Sequence, residues 1–299
     1  MINLVVFGTI GLDDIKTPFG EIKAALGGSG VYSAVAASFF AKSGLISVAG
    51  TDVPSEYIKL LEKRGVDLSG VTKVGKTFRW SGFYEFDMNE AKTLKTELNS
   101  LAGFEPEIPE NYKKAKFVFL ANIDPDLQLE VLAGMEDKPF VVLDTMNYWI
   151  TSKKESLLKV IGKTNLFILN EGEARQLFET PNLIQAGKMA LKLGPKYVII
   201  KKGEHGALLF SNGKYFSAPG YPLEEVKDPT GAGDSFAGGL VGYLSKTGDI
   251  SEKSIRKAVI YGSTIASFCA ENFSLDYLKT IKPADIKARY KIFREIRKF

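Results

Sequence analysis

The sequence is short of the residues on which several kinds of chemistry depend. Its 299 residues include one cysteine and one histidine. One cysteine excludes an intramolecular disulfide and any cysteine-rich metal centre. Cys269 lies in the apolar stretch GSTIASFCA and reads as a buried packing thiol. One histidine excludes a zinc site of three histidines, and a serine hydrolase triad would have to use His205. That residue sits between Gly203 and Gly206 in KKGEHGALLF, the setting of a surface turn. Long apolar runs are missing too, so no membrane span of about 20 residues is expected. The opening MINLVVFGTIG has no basic region and meets Gly8 early, which reads as a first strand rather than a signal peptide. A soluble, reducing, cytoplasmic setting is the default expectation. The net charge is +4, with Lys and Arg spread along the chain and clustered only in pairs such as Lys113–Lys114 and Lys201–Lys202. A nucleic-acid protein shows a concentrated basic stripe. Neither nucleic acid nor membrane is therefore expected as a partner, while a small anionic ligand suits the mild positive balance.

What is present is a rhythm. NLVVF, LISVA, KFVFL, FVVLD, LFILN and YVIIK have strand length and are rich in β-branched and aromatic residues. Helix-like segments lie between most of them: VYSAVAASFFAKSG, PSEYIKLLEKRG, PDLQLEVLAG, KKESLLKVIGK, EGEARQLFE and NLIQAGKMALKLG. Continuous apolar strands alternating with amphipathic helices predict a parallel sheet covered on both faces. Such sheets bind ligands beyond the carboxyl ends of their strands. One region breaks the rhythm. In GKTFRWSGFYEFDMNEAKTLKTELNSL, Phe78, Trp80, Tyr84 and Phe86 alternate with Arg79, Ser81, Phe83 and Glu85, and Leu94, Thr96 and Leu98 resume the alternation. Two antiparallel strands outside the main sheet are predicted, with another pair from Asp13 to Leu26. A row of aromatics on a hairpin suits a lid or a subunit contact better than bare solvent.

The chemistry concentrates in DPTGAGDSFAGG, Asp228 to Gly239. Pro229 and the glycines disfavour a strand, and Gly231 and Gly233 permit close backbone approach. From Asp234 the residues become small and apolar, as in a buried helix. The amides of Gly231, Ala232 and Gly233 are then expected at a helix N-terminus, where they can hold an anion such as phosphate. Asp234 would stand in the first turn. A carboxylate there repels phosphate, so as a functional group it reads as a base that takes a proton from a hydroxyl attacking phosphorus. Local chemistry equally allows a helix cap. A dinucleotide G-x-G-x-x-G is absent after the first strand, where the chain reads GTIGLDD, and the one histidine precludes an H-R-D loop.

DPTGAGDSFAGG resembles the C-terminal signature of the ribokinase, or PfkB-type, carbohydrate kinase family. GGSG at Gly27 to Gly30 resembles its N-terminal glycine signature, NEGE at Asn170 to Glu173 its N-x-x-E motif, and VIIKKGEHGALLF the strand and turn along the nucleotide. Together they span nearly the whole chain. The resemblance implies a ribokinase-like three-layer α/β/α core with a mostly parallel sheet plus a small β lid. It assigns residues 1–12, 27–74 and 101–299 to the core and 13–26 and 75–100 to the lid. It implies an ATP-dependent, Mg²⁺-requiring kinase acting on a hydroxyl, primary by expectation, of a sugar or related polyol. The lid would cover the acceptor and could join two subunits into a homodimer.

Residue by residue, the resemblance makes Asp234 the base and Gly231, Ala232 and Gly233 the anion hole. Asn170 and Glu173 would position Mg²⁺ through water. Lys201, Gly203, Gly206 and Thr230 would line the nucleotide. Asp228, with Thr230, matches positions that bind a monovalent cation such as K⁺ in some relatives. Asp13 would accept hydrogen bonds from acceptor hydroxyls beside Gly27 and Gly28. Ribokinase proper has asparagines where this chain has Gly11 and Tyr32, which alters selectivity because two polar contacts are lost. Tyr32 offers an aromatic face instead. Arg79, Trp80, Asn122, Asp124 and Asn147 are further acceptor candidates from their placement at strand ends and in the lid. A nucleoside kinase of the same family is the alternative, favoured by Tyr32 and the lid aromatics. A non-catalytic sugar sensor on the same fold is a third reading, against which the intact Asp234 pattern counts.

Overall fold

The structure is a computed structural model and describes residues 2–211 and 213–298. The chain runs β1 (Leu4–Phe7), β2 (Gly11–Thr17), β3 (Gly20–Gly27), α1 (Ser29–Ala37), β4 (Ser43–Ala49), α2 (Ser55–Lys63), β5 (Val66–Lys73), β6 (Phe78–Tyr84) and β7 (Ala91–Glu97). It continues through β8 (Phe117–Leu120), α3 (Pro125–Ala133), β9 (Phe140–Leu143), α4 (Asn147–Ser152), α5 (Lys154–Ile161), β10 (Leu166–Asn170), α6 (Glu171–Phe178), α7 (Leu183–Lys192) and β11 (Tyr197–Lys201). The last part holds β12 (Ala207–Ser211), β13 (Lys214–Ala218), α8 (Ala232–Thr247), α9 (Glu252–Ala270) and α10 (Pro283–Glu295).

Nine strands form the main sheet in the order β13-β12-β11-β10-β9-β8-β1-β4-β5. They are parallel except for β12 and β13, which close one edge antiparallel. Both faces are buried, because successive side chains of each strand point to opposite sides. Leu4 and Val6 join one core with Val31, Leu240 and Ile255, whereas Val5 and Phe7 join the other with Val131, Leu157 and Ala186. Each fully buried Val or Leu contributes about 1.5–3 kcal/mol. This is the predicted α/β architecture with helices on both faces. Strand order reverses at β1, with β4 and β5 on one side and β8 to β11 on the other. The crevice at such a reversal is where open α/β sheets take ligands.

The small residues of α8 allow close helix packing. A Cβ on Gly238 would lie 2.2 Å from the Ser33 carbonyl oxygen of α1, and one on Gly242 would lie 2.8 Å from the Ala37 Cα. The Ser33 hydroxyl also donates to the Asp234 carbonyl at 3.2 Å, which fixes the start of α8 against α1.

The aromatic region is a second sheet, ordered β3-β2-β6-β7. Both predicted hairpins are present, β2 with β3 and β6 with β7, and β2 and β6 run parallel to join them. Asp13 pairs in register with Trp80 and Ile15 with Gly82, so these residues share the inner face. Arg79, Ser81 and Phe83 point the other way, with Asp14 and Lys16. The expected alternation ends earlier than its pattern suggested. β6 stops at Tyr84, and Phe86 is 85% exposed in the turn beyond it. A bulge between Ser81 and Gly82 breaks the register with β7, and Leu94 and Leu98 are exposed. Among the described residues, no helix is long and apolar enough to cross a membrane.

Candidate active site

α8 begins as its sequence requires. Gly231 is the N-cap residue with φ of 76°, a left-handed conformation that favours glycine. A Cβ there would also strike the Tyr32 ring at 2.4 Å. Ala232 and Gly233 open the helix, and Asp234 is the third helical residue, half-buried. Asp234 is therefore not the cap, and no side chain caps this helix. The expected three-amide hole needs one correction. The Ala232 amide donates to the Pro229 carbonyl at 3.0 Å, closing the turn before the helix. That leaves Gly231 and Gly233 as the glycine donors at this end.

Behind this helix end lies a charge cluster built from strand termini. Lys201, the last residue of β11, donates to the Asp144 carboxylate at 2.8 Å, and both are largely buried. A Cβ on Gly233 would be 3.1 Å from the Lys201 Nζ, so the ammonium stands at the mouth of α8. Burial alone would lower the Lys201 pKa, but the carboxylates of Asp144, Glu173 and Asp234 outweigh it and raise the value. Burial raises Asp144, against the pull of Lys201. Asp234 is pushed up to about 7, by burial first and by Asp144 next. Asn170 and Glu173 form a reciprocal cap on α6. The Asn170 amide donates to Glu173 at 2.6 Å, and the Glu173 amide donates to the Asn170 Oδ1 at 2.8 Å. Burial pushes Glu173 up to about 8, and Lys201 only partly offsets it. Three carboxylates thus share one ammonium.

That negative surplus and the hard oxygen donors fit a magnesium ion. Among the described residues, no three His, Cys, Asp or Glu side chains lie close enough to hold a metal directly.

Opposite Asp234, Asp13 is 4% exposed on β2 and lies over Gly27, where a Cβ would be 1.9 Å from its Oδ2. Burial raises its pKa to about 7, with Asp228 adding to the rise and a hydrogen bond from the Gly28 backbone opposing it. Gly28, at φ of 94°, caps α1, and a Cβ there would meet the Thr9 carbonyl oxygen at 2.5 Å. Asp228 is fully buried. Its carboxylate accepts from the Thr230 amide at 2.9 Å and the Ser274 amide at 3.3 Å, and no cation pairs with it among the described residues. The lid closes onto the same loop: the Thr230 hydroxyl donates to the Tyr84 hydroxyl at 3.2 Å, and Thr17 donates to the Lys227 carbonyl at 2.9 Å.

Other sequence candidates lie elsewhere or are occupied. Tyr32 is 1% exposed behind Gly231, so it turns no aromatic face to the cleft, and its hydroxyl lacks a hydrogen-bond partner. Arg79 is on the outer lid face, 3.7 Å from Asp52. The Asn122 Oδ1 accepts from the Trp149 indole at 2.8 Å. Asp124 caps α3 and pairs with Lys153 at 2.7 Å. Asn147 is the first residue of α4 and exposed. Gly203 and Gly206 form the turn between β11 and β12, both at positive φ. His205 is exposed in that turn, and Cys269 is buried, as predicted. Asp144 and the Tyr84 contact are the additions. The signal for Asp144 was an acid closing the otherwise apolar FVVLD. The string GVTKVGKT, Gly70 to Thr77, has the spacing of a phosphate loop, G-x-x-x-x-G-K-[ST]. It leads from β5 into β6 rather than into a helix, and Thr77 is buried against Asp52, so it forms no such loop.

A family model described as pfkB family carbohydrate kinase matches residues 4–280. The chain is 32% identical over 250 residues to a cytidine kinase from Thermococcus kodakarensis, covering 81% of this chain and 89% of that one. It is similar in structure to a nucleoside kinase from Methanocaldococcus jannaschii, with a TM-score of 0.77 at 20% identity, covering 97% of this chain and 99% of that one. It is also similar to a putative ribokinase II from E. coli in complex with ATP and Mg²⁺, with a TM-score of 0.79 at 18% identity, covering 98% of this chain and all of that one.

The raised carboxylates make stability depend on pH. Asp13 and Asp234, near 7, and Glu173, near 8, hold protons in the folded chain that the unfolded chain releases near pH 4. Their penalty is absent below that lower value, builds as pH rises from it, and levels off above the folded values. The slope is up to about 1.4 kcal/mol per pH unit for each group. The ligand-free protein is expected to melt at a lower temperature at about pH 8.5 than at about pH 6. Asp13→Asn should flatten that dependence, and a profile with no slope in the unsubstituted protein would contradict the burial of these charges.

Proposed function

The chain belongs to the pfkB family of carbohydrate kinases, and from that premise we propose that it transfers the terminal phosphoryl group of ATP to a primary hydroxyl of a nucleoside. It is a phosphotransferase with an alcohol as acceptor. The observation that carries the reading is Asp234 in the first turn of α8, with the Lys201 ammonium at the mouth of the same helix. With a pKa near 7, the Asp234 carboxylate is partly ionised at neutral pH and suited to accept a proton. It takes the proton of the acceptor hydroxyl as the hydroxyl oxygen bonds to the γ-phosphorus. The bond from that phosphorus to the bridging oxygen breaks, and ADP leaves with the electron pair. The Gly231 and Gly233 amides and Lys201 face the charge on the transferred group. Mg²⁺, held through water by Asn170 and Glu173, would supply neutralisation of phosphate charge. Gly203, Gly206 and Thr230 would lie along the nucleotide.

Two observations favour a nucleoside over a free sugar: the similarity to a cytidine kinase and the aromatic inner face of the lid, with Phe78 and Trp80 in register with Gly11 and Asp13. Asp13 would accept from ribose hydroxyls. The sugar reading rests on the family's carbohydrate kinases and on the same Asp13 cradle.

An ATP-consumption screen across nucleosides and free sugars tests this. Turnover on a nucleoside should exceed that on ribose by about tenfold, a difference of about 1.4 kcal/mol in the barrier. Turnover confined to free sugars removes the nucleoside reading. Asp234→Asn should lower turnover by about 10²–10⁴-fold while ATP binding persists. An unimpaired variant would remove Asp234 as the base. We also propose that β7, a free edge of the lid sheet carrying exposed Leu94, pairs with a second copy. Leu94→Glu should then reduce a dimer's mass in solution to that of a monomer, and an unchanged dimer would locate the contact elsewhere.

A further inference from the structure

On the flank away from the cleft, β13, α8, α9 and α10 line two adjoining recesses, open to solvent, of about 410 and 520 Å³. Lys257 and Tyr290 line both. These volumes fall within the range of small-molecule sites. The lining is strongly cationic: Lys253, Arg256, Lys257, Arg294 and Arg297 stand against one carboxylate, Glu252. Glu252 is already paired with Arg256. Among the described residues, no carboxylate lies within ion-pair reach of Lys253, Lys257 or Arg294, and the nearby Glu295 is held by Lys298. Like charges gathered in one concavity repel one another, and an anion in it relieves that repulsion.

The walls are as distinctive as the rim. Two guanidinium groups share one ring, with Arg256 at 5.3 Å and Arg297 at 4.6 Å from the Phe216 centroid. That contact holds both cations in place beside the cavity. The Arg256 Nε is buried without a hydrogen-bond partner. Tyr243, Tyr261 and Tyr290 form a stack, with centroids 4.6 and 4.3 Å apart and rings within 24° and 18° of parallel. Tyr290 ends the stack beside both cavities, and Ile260 adds an apolar surface.

We propose that this groove is a second ligand site for a ring-bearing organic phosphate, of the class of a nucleoside monophosphate. The phosphate bonds the arginines and lysines of the rim, where guanidinium forks match its oxygens. The ring lies against the Tyr290 wall. A free inorganic phosphate would leave the aromatic wall without a purpose. A nucleic-acid strand would call for cations along an extended path rather than gathered around one recess.

The test is equilibrium binding of labelled adenosine 5′-monophosphate to the full chain, counted per protein molecule. Lys257→Ala/Arg294→Ala should lose one class of sites, with affinity there falling about tenfold or more. Its turnover without added monophosphate should match the unsubstituted protein, because neither residue belongs to the cleft. Tyr290→Leu should weaken the monophosphate while leaving competition by inorganic phosphate unchanged. Should the double variant not fold, as judged by its melting temperature, Arg297→Glu beyond the end of α10 reads the same loss. Equal stoichiometry and affinity in all variants would overturn the proposal. So would inorganic phosphate competing as well as the monophosphate, or retention of single-stranded RNA alone.

Discussion

Lys201 faces the carboxylates of Asp144, Glu173 and Asp234 and only partly offsets the rise that burial gives Glu173 and Asp234. All the surrounding geometry bears on that imbalance. The carboxyl ends of β9, β10 and β11 bring Asp144, Asn170, with Glu173 one turn on, and Lys201 together because the strands are parallel and adjacent. An antiparallel order would have sent alternate termini to the opposite edge. Desolvation is what keeps the carboxylates from being ordinary acids. It costs the folded chain stability and leaves the site receptive to positive charge.

The glycines of α8 hold that site in position. Gly238 and Gly242 bring α8 against the backbone of α1, and Gly231 leaves room for the Tyr32 ring. The backbone of the helix is therefore located by contact rather than by long side chains that could repack. Asp234, proposed as the base, inherits that precision in the first turn. The lid meets the loop before α8 differently, through hydroxyl contacts from Tyr84 and Thr17. Few contacts of that kind need breaking for the lid to part from the loop.

Much of this could be read in the sequence. The six strands and six helices named from apolar periodicity are present, because each is long enough for its period to stand out. β5 was not, since VDLSGVTK mixes polar residues with Gly70 and carries no clear period. The antiparallel edge of β12 and β13 looked only like a turn. The glycine-rich helix start was legible because a positive φ demands glycine locally. The Lys201–Asp144 pair was not, because 57 residues separate its members and nothing in either neighbourhood names the other. Tyr32 follows the same logic. Its position in the chain suggested an acceptor contact, but its depth depends on packing against Gly231, 199 positions onward. The GVTKVGKT string shows the converse, a spacing that matches a motif without the strand, loop and helix that give it meaning.

α9 contains 19 residues, a rod of about 28 Å at 1.5 Å per residue. Its first three turns wall the basic recess, while at its far end the Ala270 carbonyl accepts from the amides of Lys227 and Asp228 and the Cys269 thiol meets the Thr230 carbonyl. Loops absorb displacement by changing dihedral angles, whereas a helix passes axial load along its hydrogen-bonded ladder. The fold thus has a strut whose one end stands at the molecule's flank and whose other end bears on the loop that leads into α8.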